Sequence, residues 1–161
     1  MMMFEIIDID VEFEECAKVI RESFITVATE FGITKKNAPT NPAFIESNTL
    51  AKMKEEGVRM YGGYIEDKII AFVALEKASD DSYYLEKLCV VPEYRHNSYG
   101  EQLIQYIFAT VKGLGGKKVS IGIINDNIVL KNWYIKNGFN EIGRKVFEHL
   151  PFEVCFMEKL I

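Results

Sequence analysis

The sequence predicts an α/β fold (in the α+β sense), with about four helices around a mixed, mostly antiparallel central sheet of about seven strands. Three apolar runs joined by short turns occupy residues 58–91 and indicate an antiparallel meander. The helix and strand that follow, within 99–124, indicate a right-handed parallel crossover onto the same sheet. Together the two patterns make the predicted sheet mixed.

Length and composition favour a single domain over 1–161 with an ordinary hydrophobic core. The chain has 161 residues, of which 48% are hydrophobic. Its net charge of -5 and pI of about 5.2 argue against a nucleic-acid partner or an anionic membrane surface. No apolar run reaches the roughly 18 residues of a membrane span. Glu5 and Asp8 follow Met1–Phe4 too closely for a signal peptide, so we expect a cytoplasmic protein.

The first part of the chain predicts a strand, a long helix and a loop. Phe4–Ile9 is a plausible strand, and Asp10 is placed to cap a helix over Val11–Phe31. Gly32 ends this helix. Ile33–Pro42 contains two prolines and two asparagines without periodicity, which predicts a loop.

The middle of the chain predicts a second helix and then the meander. The helix carries Phe44, Leu50 and Met53, is open to a break at Ser47-Asn48, and stops at Gly57. The three strands are Val58–Ile65, Lys68–Lys77 and Tyr83–Val91. Glu66-Asp67 forms the tight turn between the first two strands, and Pro92 ends the third.

The remainder predicts two helices and three strands. One helix carries an apolar stripe made of Tyr99, Leu103, Ile104, Ile107, Phe108 and Val111. Gly115-Gly116 then leads into a strand over Lys117–Ile124. A helix over Asn127–Asn137 stops at Gly138. The final strands are expected near Asn140–His149 and Phe152–Glu158.

A short loop, Glu93–Gly100, leads from the last meander strand into the striped helix. The N-terminus of a helix carries unpaired N–H groups and a partial positive charge, so it attracts phosphate. Ser98 and Glu101 have the spacing of a capping box, with Ser98 as the N-cap. The sequence therefore predicts an anion site at this loop.

Two motifs resemble those of the GNAT superfamily of N-acetyltransferases. Leu88-x-Val90-x-Pro92-x-x-Arg95-x-x-Ser98-x-Gly100 is similar to that family's acyl-CoA-binding motif, usually Arg/Gln-x-x-Gly-x-Gly/Ala. The block from Asn127 through Trp133-Tyr134 to Gly138-Phe139 resembles its Asn-x-x-Ala-x-x-x-Tyr-x-x-x-Gly-Phe segment. Ser98 stands in place of the usual first glycine, and Leu130 in place of the common alanine.

The resemblance implies an acetyl-CoA-dependent enzyme that moves the acetyl group to a primary amine in a ternary complex, without a metal. In that family two central parallel strands splay apart, and the pantetheine arm takes some of the freed backbone groups. An N–H near Val90 would polarise the thioester carbonyl, and Tyr134 would protonate the departing thiolate. The acceptor would be a small-molecule or peptide amine, and homodimers are common in the family. The implied acyl-CoA-binding residues are Leu88, Cys89, Val90, Arg95, His96, Asn97, Ser98, Tyr99, Gly100 and Asn127.

A lysine-like amine is about 3.4 pH units from neutral at pH 7, and freeing its lone pair costs roughly 4.6 kcal/mol, so a positioned base matters. Period-two alternation places four residues on one face of their strand: Tyr84, Glu86, Leu88 and Val90. Glu86 is the first candidate, acting through water, and Tyr84 is the second, because family members use either position. The structural alternative for Glu86 is an exposed strand carboxylate.

Several of these residues have structural interpretations that stay open. Tyr134 is also a candidate core aromatic, and Asn127 is equally a candidate helix cap. Arg95 is expected to meet a phosphate, whereas His96 and the hairpin residue His149 are expected at the surface.

The cysteines predict structural roles, and two further classes of function were weighed against acetyl transfer. Cys16, Cys89 and Cys155 lie far apart in the sequence and predict buried reduced thiols, with packing favoured over a nucleophilic role for Cys89. The second hypothesis for function is a CoA-binding or regulatory module without transfer activity. A nucleotide-binding fold is disfavoured, because no G-x-G-x-x-G follows a strand.

Overall fold

In a computed structural model that describes residues 3–161, seven strands form one sheet. The strands are β1 Phe4–Asp8, β2 Arg59–Ile65, β3 Lys68–Lys77, β4 Ser82–Val90, β5 Lys118–Ile124, β6 Asn140–Val146 and β7 Glu153–Leu160. The α-helices are α1 Phe13–Glu30, α2 Ser47–Glu55, α3 Tyr99–Gly113 and α4 Ile128–Lys136. The strand order is β1-β2-β3-β4-β5-β7-β6, and every pair is antiparallel except β4 with β5. The predicted mixed sheet is therefore confirmed.

The centre of the sheet is buried on both faces. Every residue of β3 from Ile69 to Leu75 is buried, which is typical of a strand covered on each side. The ring of Tyr83 on one face of β4 lies close to Gly116, at the C-terminal end of α3. Cys89 occupies the other face and lies beside Ser23 of α1. Helices α1 and α3 thus cover the sheet from opposite sides.

The parallel pair β4–β5 is short. Three residue pairs join the strands, from Ser82↔Lys118 to Tyr84↔Ser120. Beyond them β4 runs on to Val90 and β5 to Ile124 without pairing to each other. On its other side β5 pairs with β7 along its whole length, so β5 keeps one partner strand while the gap opens. The splayed central strands are confirmed.

A β-bulge interrupts β4 and corrects the predicted face. Between the pairs Ala74↔Glu86 and Phe72↔Cys89, the single residue Val73 of β3 faces two residues of β4. One of these, Lys87, has a φ of 55°. Because the extra residue reverses the alternation, Leu88 and Val90 do not share the face of Tyr84 and Glu86. The prediction that all four lie on one face is wrong.

Two helix starts also differ from the prediction. Helix α1 begins at Phe13, after Glu12 with a φ of 61°, and no side chain caps it. Asp10 is not the cap and instead forms an ion pair with Lys54, at 3.0 Å. Helix α2 starts only at Ser47, because Pro42–Phe44 forms a separate 3-10 turn capped by the Asn41 side chain.

The glycine stops and the meander turn are confirmed. Gly32 and Gly138 have φ values of +65° and +96°, a left-handed conformation that glycine adopts without steric cost. Glu66 and Asp67 have φ values of 49° and 67°, which suits a tight hairpin turn. The three cysteines are buried free thiols, as predicted.

Residues 3–161 contain neither a candidate membrane-spanning helix nor a candidate metal-binding cluster. No helix there is both long and apolar enough to cross a membrane. Over the same residues, no group of three or more His, Cys, Asp or Glu side chains could hold a metal ion.

The close approach of α3 to β4 predicts different effects for two neighbouring glycines. A methyl group on Gly116 would lie 2.5 Å from Val111 Cγ1 and 2.8 Å from Tyr83 Cε1, whereas one on Gly113 meets nothing within 4 Å. Gly116→Ala should lower the free energy of unfolding by about 1–3 kcal/mol, because it overpacks the core. The matched control Gly113→Ala should be neutral or stabilising by up to about 1 kcal/mol. Urea unfolding measures both, and equal effects would contradict this packing.

Candidate active site

A cavity of about 420 Å³ opens where β4 and β5 part. Strand β4 contributes Tyr84, Leu85, Glu86, Lys87 and Leu88, and β5 contributes Ser120 to Ile124. The rest of its lining is Phe24, Val27, Asn41, Pro42, Asn127, Leu130, Tyr134, Leu150, Phe152 and Val154. The cavity therefore brings together five of the predicted site residues: Tyr84, Glu86, Leu88, Asn127 and Tyr134.

The loop before α3 presents a row of free backbone donors. Within residues 3–161, the six consecutive N–H groups from His96 to Glu101 have no hydrogen-bond acceptor. The first bond at this end of the helix runs from Gln102 N to Ser98 O, at 3.0 Å. His96 and Ser98 both have a φ of 64°, and this backbone path forms the loop before the helix. We call the N–H groups of His96–Glu101 the N–H cradle, since such a row suits a negatively charged group.

The predicted capping box is absent. Ser98 stands at the N-cap position, but its side chain caps no helix N–H. Its hydroxyl instead accepts a long bond from Gln102 Nε2, at 3.4 Å. The αL conformation of Ser98 is not the extended one that a capping side chain needs, which explains the failure. All the cradle donors are left free as a result.

The side chain of Arg95 is hydrogen-bonded to α1. This arrangement does not support the predicted contact between that side chain and a phosphate. Its Nη2 donates to Ser23 O at 2.8 Å, and both Nη atoms lie 3.3 Å from Thr26 Oγ1. Its Nε donates to Val90 O at 3.0 Å. The guanidinium thus ties the end of β4 to α1 and holds the start of the cradle in place.

Other contacts fix the two ends of the cradle. The Asn97 amide donates to Tyr94 O and Arg95 O, both at 3.1 Å. Tyr99 stacks on Phe4 of β1, with ring centroids 4.5 Å apart. A methyl group on Gly100 would lie 3.3 Å from Trp133 Cζ2, a tight contact that would require the indole to shift by a few tenths of an ångström. His96 is exposed, as expected.

Glu86 is a half-buried carboxyl in the cavity wall. Burial raises its pKa to about 7, and the neighbouring carboxyl of Glu76 on β3 adds to the rise, while Lys87 opposes it. A carboxyl with this pKa exchanges protons near neutral pH, as a general base must. The alternative of a fully exposed strand carboxylate does not fit its burial. Tyr84, on the same face, is 47% exposed and keeps its place in the lining.

Tyr134 is a core aromatic that also lines the cavity. It is only 5% exposed, and its ring contacts Trp133 and Phe139 edge to face, with centroids 5.0 and 5.2 Å apart. Burial raises the pKa of its hydroxyl, so the phenol keeps its proton at neutral pH. In residues 3–161, every side-chain nitrogen or oxygen that is shielded from solvent has a hydrogen-bond partner. The Tyr134 hydroxyl, in contrast, makes no hydrogen bond within these residues. The hydroxyl is therefore not enclosed and is open to the cavity that Tyr134 lines.

The other predicted residues divide between structural and cavity positions. Asn127 caps α4 through a bond from Leu130 N to its Oδ1, at 3.2 Å, and also lines the cavity. Cys89 and Val90 lie outside the cavity lining. Burial raises the pKa of the Cys89 thiol to about 12, so it is no thiolate nucleophile at neutral pH.

Sequence reasoning missed the second wall of the cavity. It consists of Phe24 and Val27 from α1, Asn41 and Pro42 from the following loop, and Leu150 and Phe152 from the β6–β7 connection. These three segments are far apart along the chain, and no motif links them. Phe24 and Val27 lie within the helix predicted over Val11–Phe31, but no motif assigns them to a site. Glu76 was missed as well, since only the β3–β4 register brings it near Glu86.

Comparison with known proteins agrees with this geometry. The model of the acetyltransferase (GNAT) family matches residues 22–139, which is more than half of the chain. This chain belongs to the GNAT family. The matched segment contains the cradle, β4, β5 and α4, whereas the β6–β7 wall of the cavity lies beyond it. A search of curated proteins gives no significant match.

Solved structures share this GNAT fold across nearly the whole chain. The ribosomal-protein-S18-alanine N-acetyltransferase of Escherichia coli has a TM-score of 0.78 at 15% identity, over 99% of this chain and 94% of its own. The PaiA N-acetyltransferase of Thermoplasma acidophilum, solved with coenzyme A, has a TM-score of 0.77 at 21% identity, over 99% and 100%. A GNAT acetyltransferase of Elizabethkingia anophelis, solved with acetyl-CoA bound, has a TM-score of 0.71 at 12% identity, over 98% of each chain. At these identities the likeness establishes the fold alone.

The raised pKa of Glu86 predicts a pH-dependent cost to the stability of this GNAT protein. Its carboxyl has a pKa of about 7 when folded, against 4.5 as the ordinary value, so the fold disfavours the ionised form. Below pH 4.5 the cost is absent, between 4.5 and 7 it grows, and above 7 it is complete. Glu86→Gln should therefore gain stability relative to wild type as pH rises through this window. Urea unfolding at pH 4.5, 6 and 8 measures the difference.

Glu76→Gln provides the matched control for that measurement. Removal of the Glu76 carboxyl should lower the pKa of Glu86 in the folded protein, so in this background the gain of Glu86→Gln should be smaller and should level off at a lower pH. If the difference in stability between Glu86→Gln and wild type stays constant with pH, burial does not raise the pKa of this carboxyl.

Proposed function

We propose that this GNAT protein transfers the acetyl group of acetyl-CoA to a primary amine by direct attack in a ternary complex. One observation carries the proposal: a carboxyl with a pKa of about 7 and a protonated buried phenol line one cavity between parted strands. A base for the amine and a donor for the leaving thiolate are the two groups that this reaction needs. The family, whose members are acetyltransferases, supports the same reaction.

The cradle and the strand gap fit the two polar parts of acetyl-CoA. Six adjacent N–H donors at the start of α3 suit a pyrophosphate, which brings negative charge and several acceptor oxygens. Beyond Tyr84, the side of β4 that faces β5 has no partner strand and can bond the amide groups of the pantetheine arm. Two of the structural neighbours were solved with coenzyme A or acetyl-CoA. In this arrangement Arg95 acts by holding the loop, and the backbone supplies the phosphate contacts.

Glu86 is the proposed proton acceptor. An alkylammonium with a pKa near 10.4 must lose a proton before its nitrogen can attack. A carboxylate with a pKa of about 7 is a stronger base than an ordinary glutamate, and it is half ionised at neutral pH. The proton passes from the ammonium to Glu86, directly or through one water.

The bond changes then follow from the attack. The amine nitrogen forms a C–N bond with the acetyl carbonyl carbon and loses its second proton to solvent, and the C–S bond breaks as the thiolate leaves. A β4 N–H between the bulge and Val90 is the proposed donor to the carbonyl oxygen, and one aimed donor typically contributes about 3 kcal/mol. This stretch pairs with β3 again at Cys89 and Val90 but has no partner strand on the side that faces β5.

Tyr134 is proposed to stabilise the leaving thiolate by a hydrogen bond. A thiol has a pKa near 8.5 and a tyrosine near 10, so full proton transfer from the phenol is uphill by at least about 2 kcal/mol. Burial raises the pKa of Tyr134 further and makes complete transfer still less favourable. The hydroxyl therefore donates a hydrogen bond while the thiolate takes its final proton from solvent.

A test of the reaction combines an amine panel with the Glu86→Gln variant. Release of CoA thiol from acetyl-CoA should require an amine, and Glu86→Gln should lower kcat by about 10²–10⁴-fold at pH 7. The loss should shrink as pH rises toward 10, because solvent then deprotonates the amine. Tyr84→Phe is the matched control and should keep at least a third of the activity.

Three outcomes would count against this scheme. If Glu86→Gln keeps the wild-type pH profile, Glu86 is structural. A large loss of activity in Tyr84→Phe would identify the Tyr84 hydroxyl as the base instead. Tight acetyl-CoA binding without transfer to any amine would favour a binding module.

Removal of the Tyr134 hydroxyl tests the thiolate step separately. Tyr134→Phe keeps the ring contacts with Trp133 and Phe139, so thermal stability and acetyl-CoA affinity should change little. Turnover should fall by around a hundredfold, the lower end for a group of this kind. Trp133→Phe serves as a comparison, since it alters the contact with Gly100 and should weaken acetyl-CoA binding instead. Full turnover in Tyr134→Phe would show that the hydroxyl is idle.

A further inference from the structure

We propose that the acceptor is a small primary amine with one positive charge and an apolar body, bound with its ammonium at Glu86. This inference rests on the proposed function and specifies its substrate class. It excludes di- and polyamines as preferred acceptors.

The acceptor end of the cavity is the end away from α4. Trp133 of α4 meets the cradle at Gly100, so the side of the cavity formed by Leu130 and Tyr134 adjoins the phosphate donors. The other side is formed by α1, the loop at Asn41-Pro42 and the β6–β7 connection. An amine that enters there reaches Glu86 without crossing the path of the acyl chain.

The charges in the lining suit one ammonium. Among the residues that line the cavity, Glu86 is the one carboxylate and Lys87 the one cation. Glu76 does not line the cavity, but it is close enough to Glu86 to raise the pKa of that carboxyl. The two carboxyls therefore form one site for an ammonium, not two. Lys87, adjacent to Glu86, adds repulsion against any further positive charge.

Apart from Glu86, the cavity lining offers no carboxylate for a second positive charge. Phe24, Val27, Pro42, Leu150 and Phe152 supply aromatic and aliphatic surface. Asn41 adds one amide, whose oxygen is already bonded to Ala43 N, at 2.9 Å. An unpaired ammonium held against this surface loses hydration without compensation, whereas an alkyl or aryl group gains from burial.

The apolar wall is firmly held. Phe24, Ile124 and Phe152 also pack against a separate cluster of four buried residues, Ala28, Ile33, Ala38 and Ala43. This cluster joins the end of α1 to the loop that contains Asn41 and Pro42. Because the wall is part of a packed cluster, it does not readily open to admit water beside a second charge.

Equilibrium binding tests the charge preference without relying on the chemistry. In the presence of saturating CoA, which cannot transfer an acetyl group, butylamine should bind the wild-type protein at least tenfold more tightly than 1,4-diaminobutane, after allowance for the diamine's two equivalent ends. Both probes present the same primary amine at one end. At the other end butylamine has a methyl group, whereas the diamine has a second ammonium. 2-Phenylethylamine should bind at least as tightly as butylamine. Calorimetry measures all three.

Charge variants in the apolar wall sharpen the test. Phe152→Glu, or Leu150→Glu if the first fails to fold, places a carboxylate in the wall and should shift the ratio by about tenfold toward the diamine. Ile142→Glu is the matched control: Ile142 is 55% exposed on β6, outside the cavity, so the ratio should not change. An equal shift in Ile142→Glu would trace the effect to net charge and would overturn the inference.

The outcomes separate this inference from the proposed function. Equal or tighter binding of the diamine by wild type, or no binding of either amine, overturns the inference even if transfer to some other amine is found. A tenfold preference for the monoamine without acetyl transfer would support the inference and refute the proposed reaction.

Discussion

The site depends on the early end of the parallel pairing between β4 and β5. After three residue pairs the strands separate, and the backbone of β4 from the bulge to Val90 loses its partner on one side. Strand β7, inserted between β5 and β6, pairs with all of β5 and keeps it ordered in spite of the gap. The gap then creates the cavity, exposes backbone donors and leaves the Tyr134 hydroxyl open. A continuous ladder would remove all three features.

The same gap determines the pH at which Glu86 and Tyr134 ionise. Glu86 lies in its wall, half removed from water, so its carboxyl resists ionisation until about pH 7. Tyr134 lies deeper and keeps its proton well above neutral pH. One cavity therefore holds a carboxyl that ionises near neutral pH and a phenol that keeps its proton there, and burial causes both effects. Burial of Glu86 costs stability at neutral pH, a cost that functional sites commonly carry.

The elements with strong periodicity or clear turn residues could be predicted from the sequence. The stripe of α3, the left-handed glycines at 32 and 138, and the Glu66-Asp67 turn are local signals, and each matches the structure. The bulge at Lys87 could not be predicted, because lysine seldom adopts positive φ and only the register with β3 requires it. The Arg95 contacts with Ser23 and Thr26 span about 70 residues and leave no mark in the local pattern. The apolar wall of the cavity was missed for the same reason, since three distant segments build it.

Amide NMR spectra of the uniformly ¹⁵N-labelled protein, recorded during titration with acetyl-CoA, show whether the cradle and the free edge of β4 bind this molecule. The free donors of the cradle and of β4 beyond Tyr84 should acquire acceptors when the molecule binds. Signals of His96–Glu101 and of Glu86–Val90 should shift most, while those of the edge strands β1 and β6 should stay nearly unchanged. Saturable binding that leaves the cradle signals unmoved, or no binding at millimolar concentration, would contradict this prediction.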